Sequence, residues 1–168
     1  MVTLIEHSFW QTLDDPHLAA ERVWGTAYRI KAEKVAEVRD YLDIREINGY
    51  TIHYTPFYSA DTSPSIRTLV YIGTPENPQF MGPQDLQNLA DHIHQSSGPS
   101  GMNKDYLWNL ETALDHLSAE SGDEHVKDLS ERVRRIEERV VRDGHENATR
   151  PVEMQLEEIN NEQEETEK

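Results

Sequence analysis

A proline-containing segment, Thr74-Pro-Glu-Asn-Pro78, separates an amino-terminal part with strand and helix patterns from a carboxy-terminal part with helical patterns only. Proline has no backbone N–H to donate, so this segment cannot continue a β-sheet. Strands and helices that are segregated along a chain are typical of the α+β class. The sequence therefore predicts an α+β fold whose carboxy-terminal part is helical.

Before this segment, the sequence predicts four strands and one helix. The strands cover residues 2–6, 22–30, 50–58 and 66–72, and the helix covers residues 32–44. Residues 22–30 alternate with a period of two, which places Trp24 and Ile30 on the same side, as in a half-buried strand. Pro64 lies between the last two strands and predicts a hairpin-like link, because proline interrupts a strand ladder.

After this segment, three helices are predicted from apolar residues spaced three and four apart. Pro83 fits the first turn of the first helix, and Gly98-Pro99 would end it. Asn103 fits the N-cap of the second helix, and the third covers residues 123–143. The apolar positions are Leu86, Leu89, Ala90 and Ile93, then Tyr106, Leu107, Leu110 and Leu114, then Val126, Leu129, Val133, Ile136 and Val140.

The last of these helices has an apolar seam flanked by the charged pairs Asp128/Arg132 and Glu138/Arg142, each four residues apart. Such a seam could contact a second subunit or the rest of its own domain. Because short seams more often pack on their own domain, we favour that interpretation. The oligomeric state stays open.

The chain has a net charge of −16, and hydrophobic residues make up 36% of its length. A negative chain repels nucleic-acid phosphates and anionic lipids, and no basic cluster offsets this charge, so neither nucleic-acid nor membrane binding is expected. The sequence has no apolar run or leader that indicates membrane insertion or secretion, which predicts a cytoplasmic location. The absence of cysteine excludes disulfides and thiolate nucleophiles.

The carboxy-terminal residues 145–168 hold eight Asp or Glu residues against Arg150 and Lys168. This segment also has few large apolar side chains, so burial cannot offset its chain entropy. The composition therefore predicts one folded domain over residues 1–144, followed by a disordered acidic tail over residues 145–168.

The acidic residue Glu46 comes just after the predicted helix. An Asn-Gly turn and a predicted strand follow it. Val35, Val38 and Leu42 precede it at helical intervals, so a continued helix places Glu46 on their apolar stripe. A carboxyl group on such a stripe is partly dehydrated, which suits it to moving a proton near neutral pH. Spacing alone also permits Glu46 to cap a loop or to pair with Arg45 or Arg29.

Four motifs stand in order around this helix. They are Val23-Trp-Gly-Thr-Ala-Tyr-Arg-Ile30, Tyr41-Leu-Asp-Ile-Arg-Glu-Ile-Asn-Gly-Tyr50, Leu69-Val-Tyr-Ile-Gly-Thr-Pro-Glu-Asn-Pro-Gln-Phe-Met-Gly-Pro83 and Ser97-Gly-Pro-Ser-Gly-Met-Asn-Lys-Asp-Tyr-Leu107. In this order and spacing, residues 2 to about 117 resemble the ChaC-type gamma-glutamylcyclotransferases, which act on glutathione.

This resemblance implies part of a small β-barrel with helices packed around it. It also implies release of 5-oxoproline from glutathione, which leaves Cys-Gly. Glu46 matches the catalytic glutamate of the family. Ser100, Asn103 and Tyr106 are then candidates to bind the substrate, and Glu37 is a weaker candidate because a solvated helix face also explains it. Neither a metal nor an organic cofactor is expected, because both reacting groups belong to the substrate.

The sequence departs from the family at one motif. Relatives carry a Tyr-Gly-Ser-Leu loop that grips the gamma-glutamyl group, and no such run is present here. Residues 1–6 instead resemble a strand well inside the family's domain. We therefore expect an amino-terminally truncated domain with little activity of its own. The alternative is a catalytically inactive relative that acts as a binding protein.

Overall fold

The computed structural model describes residues 4–18, 22–46, 50–61, 64–78 and 80–149. A 3₁₀ turn, Ala32–Lys34, precedes the second helix. The helices are α1 (His7–Trp10), α2 (Val35–Arg45), α3 (Leu86–Gln95), α4 (Asn103–Leu117) and α5 (Glu124–Thr149), and the strands are β1 (Thr51–Phe57), β2 (Ile66–Ile72), β3 (Ser97–Gly98) and β4 (Gly101–Met102).

Strands β1 and β2 form an antiparallel hairpin in which Thr51 lies opposite Ile72 and Phe57 lies opposite Ile66. The predicted hairpin-like link is confirmed. Leu4 adds a parallel bridge to Ile72, and its carbonyl accepts a hydrogen bond from the Gly73 N–H at 3.0 Å. The described end of the predicted strand at residues 2–6 therefore lies beside β2, while residues 2 and 3 lie outside the described part of the chain.

The predicted strand at residues 22–30 is wrong: these residues form no regular secondary structure. Trp24 and Ile30, which the alternation placed on one buried side, are both exposed. A strand needs a neighbouring backbone to take its N–H and C=O groups, and alternation carries no information about that neighbour. Arg22, the first residue of the segment, makes a side-chain contact: its guanidinium lies 4.4 Å from the Tyr58 ring centroid.

The hydrophobic core lies among α3, α4 and α5. Its buried members are Ala90 on α3, Leu107 on α4, and Val126, Leu129, Val133 and Ile136 on α5. The seam of α5 therefore packs on its own domain, as favoured, although Val140 at its far end is exposed. Of the two predicted charged pairs, Asp128 and Arg132 meet at 2.9 Å, whereas Arg142 pairs with the adjacent Asp143 at 3.7 Å.

The caps of α3 differ from those that the sequence predicted. The helix begins at Leu86, beyond Pro83, because the Asp85 carboxylate accepts hydrogen bonds from the N–H groups of Gln87 and Asn88. At the other end, the Ser96 hydroxyl donates to the His92 carbonyl at 2.7 Å. Gly98-Pro99 then belongs to the tight hairpin of β3 and β4 and does not end the helix.

Asp85→Ala is expected to destabilise the protein by about 0.5–2 kcal/mol, because the first turn of α3 loses the acceptor for two backbone N–H groups. Denaturation by urea, followed by circular dichroism, measures this loss. Asp85→Asn is the matched control, since asparagine caps helices about as well as aspartate. Equal stability of the alanine variant and the wild type would contradict the assignment of Asp85 as the cap.

Helix α5 continues to Thr149, beyond the point at which the acidic tail was predicted to begin. Residues 150–168 lie outside the described part of the chain, so the disordered tail stays a prediction. Among the described helices, none combines the length and the apolar character that crossing a membrane requires.

Candidate active site

Glu46 lies directly after the last residue of α2, where its N–H donates to the Leu42 carbonyl at 2.8 Å. The least exposed positions of this helical segment are Val38, Leu42 and Glu46, spaced four residues apart. Val35, the fourth member of the predicted stripe, is exposed. The side chain of Glu46 keeps 20% of its accessible surface. Glu46 thus continues the less exposed face of α2, as the spacing predicted.

One ion pair contacts this carboxylate. The Arg45 Nε lies 3.6 Å from Glu46 Oε1, and the Arg45 side chain is 62% exposed. Charge-assisted hydrogen bonds in proteins are about 2.7–2.9 Å long, so this is a loose pair at the surface. A contact of this kind restrains the carboxylate only weakly.

Two tyrosines lie within electrostatic range of Glu46. Burial raises the pKa of the Tyr50 hydroxyl, and the negative charge of Glu46 raises it further. Burial also raises the pKa of Tyr71, to which Asp43 and Glu46 add, while Arg39 opposes them. Both phenols are protonated at neutral pH, as tyrosines ordinarily are, and can donate hydrogen bonds.

Tyr106 belongs to the same group of side chains. Burial raises the pKa of its hydroxyl, and Tyr106 in turn contributes to the raised pKa of Tyr50. Tyr106 lies in the first turn of α4 and is half-buried. Of the substrate-binding candidates from the sequence, Tyr106 is linked electrostatically to Tyr50, whose pKa the charge of Glu46 also raises.

Tyr50 and Tyr71 were not among the predicted site residues, although both lie in motifs that carried the resemblance. Tyr50 directly precedes β1 and Tyr71 lies on β2, opposite Ile52. The available signal for Tyr50 was its short separation from Glu46 along the sequence.

Ser100 and Asn103 lie at the junction of the β3–β4 hairpin and α4. Ser100 is exposed in the hairpin turn, next to Gly101, whose φ of 111° suits glycine. Asn103 is the first residue of α4 and not its N-cap, a position that Met102 occupies without a side-chain hydrogen bond. The Asn103 N–H donates to the Ser96 carbonyl at 3.0 Å, which closes the hairpin.

Glu37 is the remaining candidate. Its side chain is exposed on α2 and forms an ion pair with Lys34, one turn earlier. Glu37 therefore lies on a solvated helix face, which was the other explanation for an acid at this position.

Residues that could hold a metal occur elsewhere in the described part of the chain. Asp15, His17 and His125, from the amino-terminal segment and α5, carry donor atoms that all lie within 4.8 Å of one another. The side chains that interact with Glu46 are the Arg45 guanidinium and the phenols of Tyr50 and Tyr71, which suit hydrogen bonding.

A family model describing ChaC-like proteins matches residues 1–136. The chain belongs to the ChaC-like protein family. A glutathione-specific gamma-glutamylcyclotransferase of Schizosaccharomyces pombe is 42% identical over 140 residues, which cover 80% of this chain and 69% of the relative. The glutathione-specific gamma-glutamylcyclotransferase 1 of Rattus norvegicus is 34% identical over 113 residues, which cover 66% of this chain and 51% of the relative.

A solved structure is also similar to this ChaC-like chain. The crystal structure of a selenomethionine-labelled gamma-glutamyl cyclotransferase specific to glutathione from yeast has a TM-score of 0.57 and 33% identity. The match covers 63% of this chain and 56% of the yeast chain. The ChaC-like chain therefore spans little more than half the length of the yeast and rat proteins. The family resemblance and the α+β class, both predicted from the sequence, are confirmed.

Proposed function

We propose that this chain cleaves glutathione into 5-oxoproline and Cys-Gly by intramolecular acyl transfer, with Glu46 as the acid–base group. The observation that carries the proposal is the position of Glu46, in a member of the ChaC-like family. It continues the less exposed face of α2 and keeps 20% of its side-chain surface. The relatives named above act on glutathione, which supports the choice of substrate.

In the proposed reaction, the Glu46 carboxylate removes a proton from the α-ammonium group of the glutamyl residue. The resulting amine attacks the γ-carbonyl carbon, and a tetrahedral intermediate forms. As the bond to the cysteine nitrogen breaks, Glu46 returns the proton to that nitrogen. The ring nitrogen gives up its second proton, which the same carboxyl group passes to the departing amine, so the products are 5-oxoproline with a lactam N–H and Cys-Gly as an ammonium ion. Nucleophile and electrophile belong to one molecule, so the main tasks of the protein are to fold the substrate and to stabilise the oxyanion.

The phenols of Tyr50, Tyr71 and Tyr106 support the second task. Tyrosine hydroxyls are protonated at neutral pH, and the raised pKa values of these three keep them so at higher pH as well. A protonated phenol donates a hydrogen bond to an oxyanion or a carboxylate without moving a charge into the site. We assign the Tyr106 hydroxyl as a hydrogen-bond donor to the substrate and the Tyr50 hydroxyl as a hydrogen-bond donor near the reacting carbonyl.

The start of α4 supports binding of a substrate carboxylate. The N-cap residue Met102 offers no side-chain acceptor, so no side chain at that position competes with an anion for the N–H groups of the first turn. Asn103 and Ser100 flank this turn and stay in the proposal as polar contacts to the substrate. We leave Glu37 out of the mechanism because it is exposed and paired with Lys34.

A cytoplasmic location and the lack of nucleic-acid binding remain predictions from the sequence. The proposed reaction is compatible with both, because its substrate is a soluble tripeptide.

Release of 5-oxoproline from glutathione tests the proposal. Two proteins should be assayed: the 168-residue chain and a form with the Tyr-Gly-Ser-Leu strand and loop of a relative placed before Met1. Little turnover is expected in the first form and much faster turnover in the second, because the added loop would hold the glutamyl group. The function would be excluded if both forms fold, bind glutathione and release no 5-oxoproline.

Tyr106→Phe is expected to lower kcat/KM for glutathione by roughly ten- to a hundredfold. A hydrogen bond to a charged group contributes about 1.5–3 kcal/mol, and each 1.4 kcal/mol is a factor of ten. Tyr41→Phe is the matched control, since Tyr41 is exposed on α2. Equal effects of the two substitutions on kcat/KM would remove Tyr106 from the substrate site.

A further inference from the structure

Three side chains that the proposed reaction does not use meet between the amino-terminal segment and α5. Asp15 Oδ1 lies 2.7 Å from His17 Nδ1, and Asp15 Oδ2 lies 2.7 Å from His125 Nδ1. Asp15 and His17 follow α1, whereas His125 is in the first turn of α5. One carboxylate therefore bridges two imidazoles that converge from distant parts of the chain.

The cluster is largely shielded from solvent. The side chains of Asp15, His17 and His125 keep 11%, 17% and 25% of their accessible surface. The Trp10 ring packs edge-on against His125, with 5.6 Å between the ring centroids. Burial raises the pKa of Asp15, but hydrogen bonds from the His17 backbone and from both imidazoles outweigh burial, so the net shift is downward. The carboxylate is thus ionised at neutral pH.

His17 lies between two carboxylates. Its Nδ1 faces Asp15, and its Nε2 lies 3.3 Å from Asp128 Oδ2. A neutral imidazole has one N–H, so it can donate to only one of these two acceptors. Both contacts become favourable when the ring is protonated, or when Nδ1 binds a cation and the Nε2–H donates to Asp128. Arg132 fixes Asp128 in place through a 2.9 Å contact.

We propose that Asp15, His17 and His125 bind one divalent transition-metal ion, with zinc as the best-matching metal. Two imidazoles and one carboxylate form a common donor set for such ions, and solvent supplies the remaining position. Ligating histidines almost always donate their second N–H to a carboxylate or carbonyl, which is the relation of His17 to Asp128.

Two of the three donor separations are close to those of a zinc site, and all three donor atoms lie within 4.8 Å of one another. Bonds of about 2.0–2.1 Å in tetrahedral geometry separate neighbouring donor atoms by about 3.3–3.4 Å. The two contacts of Asp15 would therefore open by roughly half an ångström, as the ion replaces the proton that each pair shares. The bound ion would fasten the amino-terminal segment to α5.

Titration of the tag-free chain with ZnCl₂, by calorimetry, tests the site directly. The wild type should bind zinc with a stoichiometry near one and should melt at a higher temperature with zinc than with a chelator. Loss of a residue that hydrogen-bonds a ligating histidine typically weakens metal affinity about 10–100-fold. Asp128→Asn should therefore weaken zinc binding by a factor in that range. Loss of a ligand, in His125→Ala, should weaken the affinity further.

His92→Ala is the matched control, because His92 is exposed on α3. It should bind zinc as the wild type does. Asp15→Asn is nearly isosteric, so it serves if His125→Ala fails to fold, and the absorption spectrum of the wild type with Co(II) reports the coordination without any substitution. The proposal is overturned if the wild type binds no zinc, or if His125→Ala or Asp15→Asn binds it as tightly as the wild type.

Discussion

Glu46→Gln is expected to slow the release of 5-oxoproline from glutathione by about 10²–10⁴-fold, in the form of the protein that carries the added loop. Glutamine has nearly the same shape as glutamate but cannot take the proton of the α-ammonium group. The same factor corresponds to about 2.7–5.4 kcal/mol of barrier, at 1.36 kcal/mol for each factor of ten. The loss should appear in kcat, because substrate binding does not depend on that proton transfer.

Glu33→Gln is the matched control for this experiment. Glu33 is exposed in the 3₁₀ turn before α2, so the same substitution there should leave turnover unchanged. Glu37→Gln tests the weaker assignment and should resemble the control, because Glu37 pairs with Lys34 at the surface. Wild-type turnover by Glu46→Gln would remove Glu46 from the reaction.

The position of Glu46 was predictable because it depends on local information. The interval of four residues from Val38 through Leu42 fixes the side of α2 on which the next residue must lie. Periodicity also predicted the core positions Leu107 and Val133, since both are spaced with other apolar residues on one helix face. The predicted ends of the helices were less accurate, because a helix end depends on which side chain hydrogen-bonds the terminal backbone groups, as Asp85 does at the start of α3.

The surroundings of Glu46 were less predictable because they depend on contacts between elements. Tyr50 directly precedes β1 and Tyr71 lies on β2, and the charge of Glu46 raises the pKa of both, a relation that spacing along one segment does not reveal. The contact between Asp15 and His125 spans 110 residues, so a search for closely spaced ligands could not find it. The prediction of a strand at residues 22–30 was wrong for a related reason: a strand requires a neighbouring strand to pair with, and the sequence pattern does not reveal one.

Leu107→Ala is expected to lower the free energy of unfolding by about 2–5 kcal/mol. Leu107 is 1% exposed and packs in the core formed by α3, α4 and α5. The substitution removes three buried carbon atoms and leaves a cavity that the three helices can only partly close. Folded domains are stable by only about 5–15 kcal/mol, so this is a large part of the total.

The effect should be visible in both stability and activity, because Leu107 is adjacent to Tyr106 on α4. Urea denaturation should show a lower midpoint with an unchanged slope, which indicates lost stability in a protein that still folds cooperatively. Leu117→Ala is the control on the same helix; Leu117 is 41% exposed, so the change should be within about 0.5 kcal/mol. If the two substitutions have equal effects, the core does not centre on Leu107, and the position of Tyr106 on α4 does not depend on it.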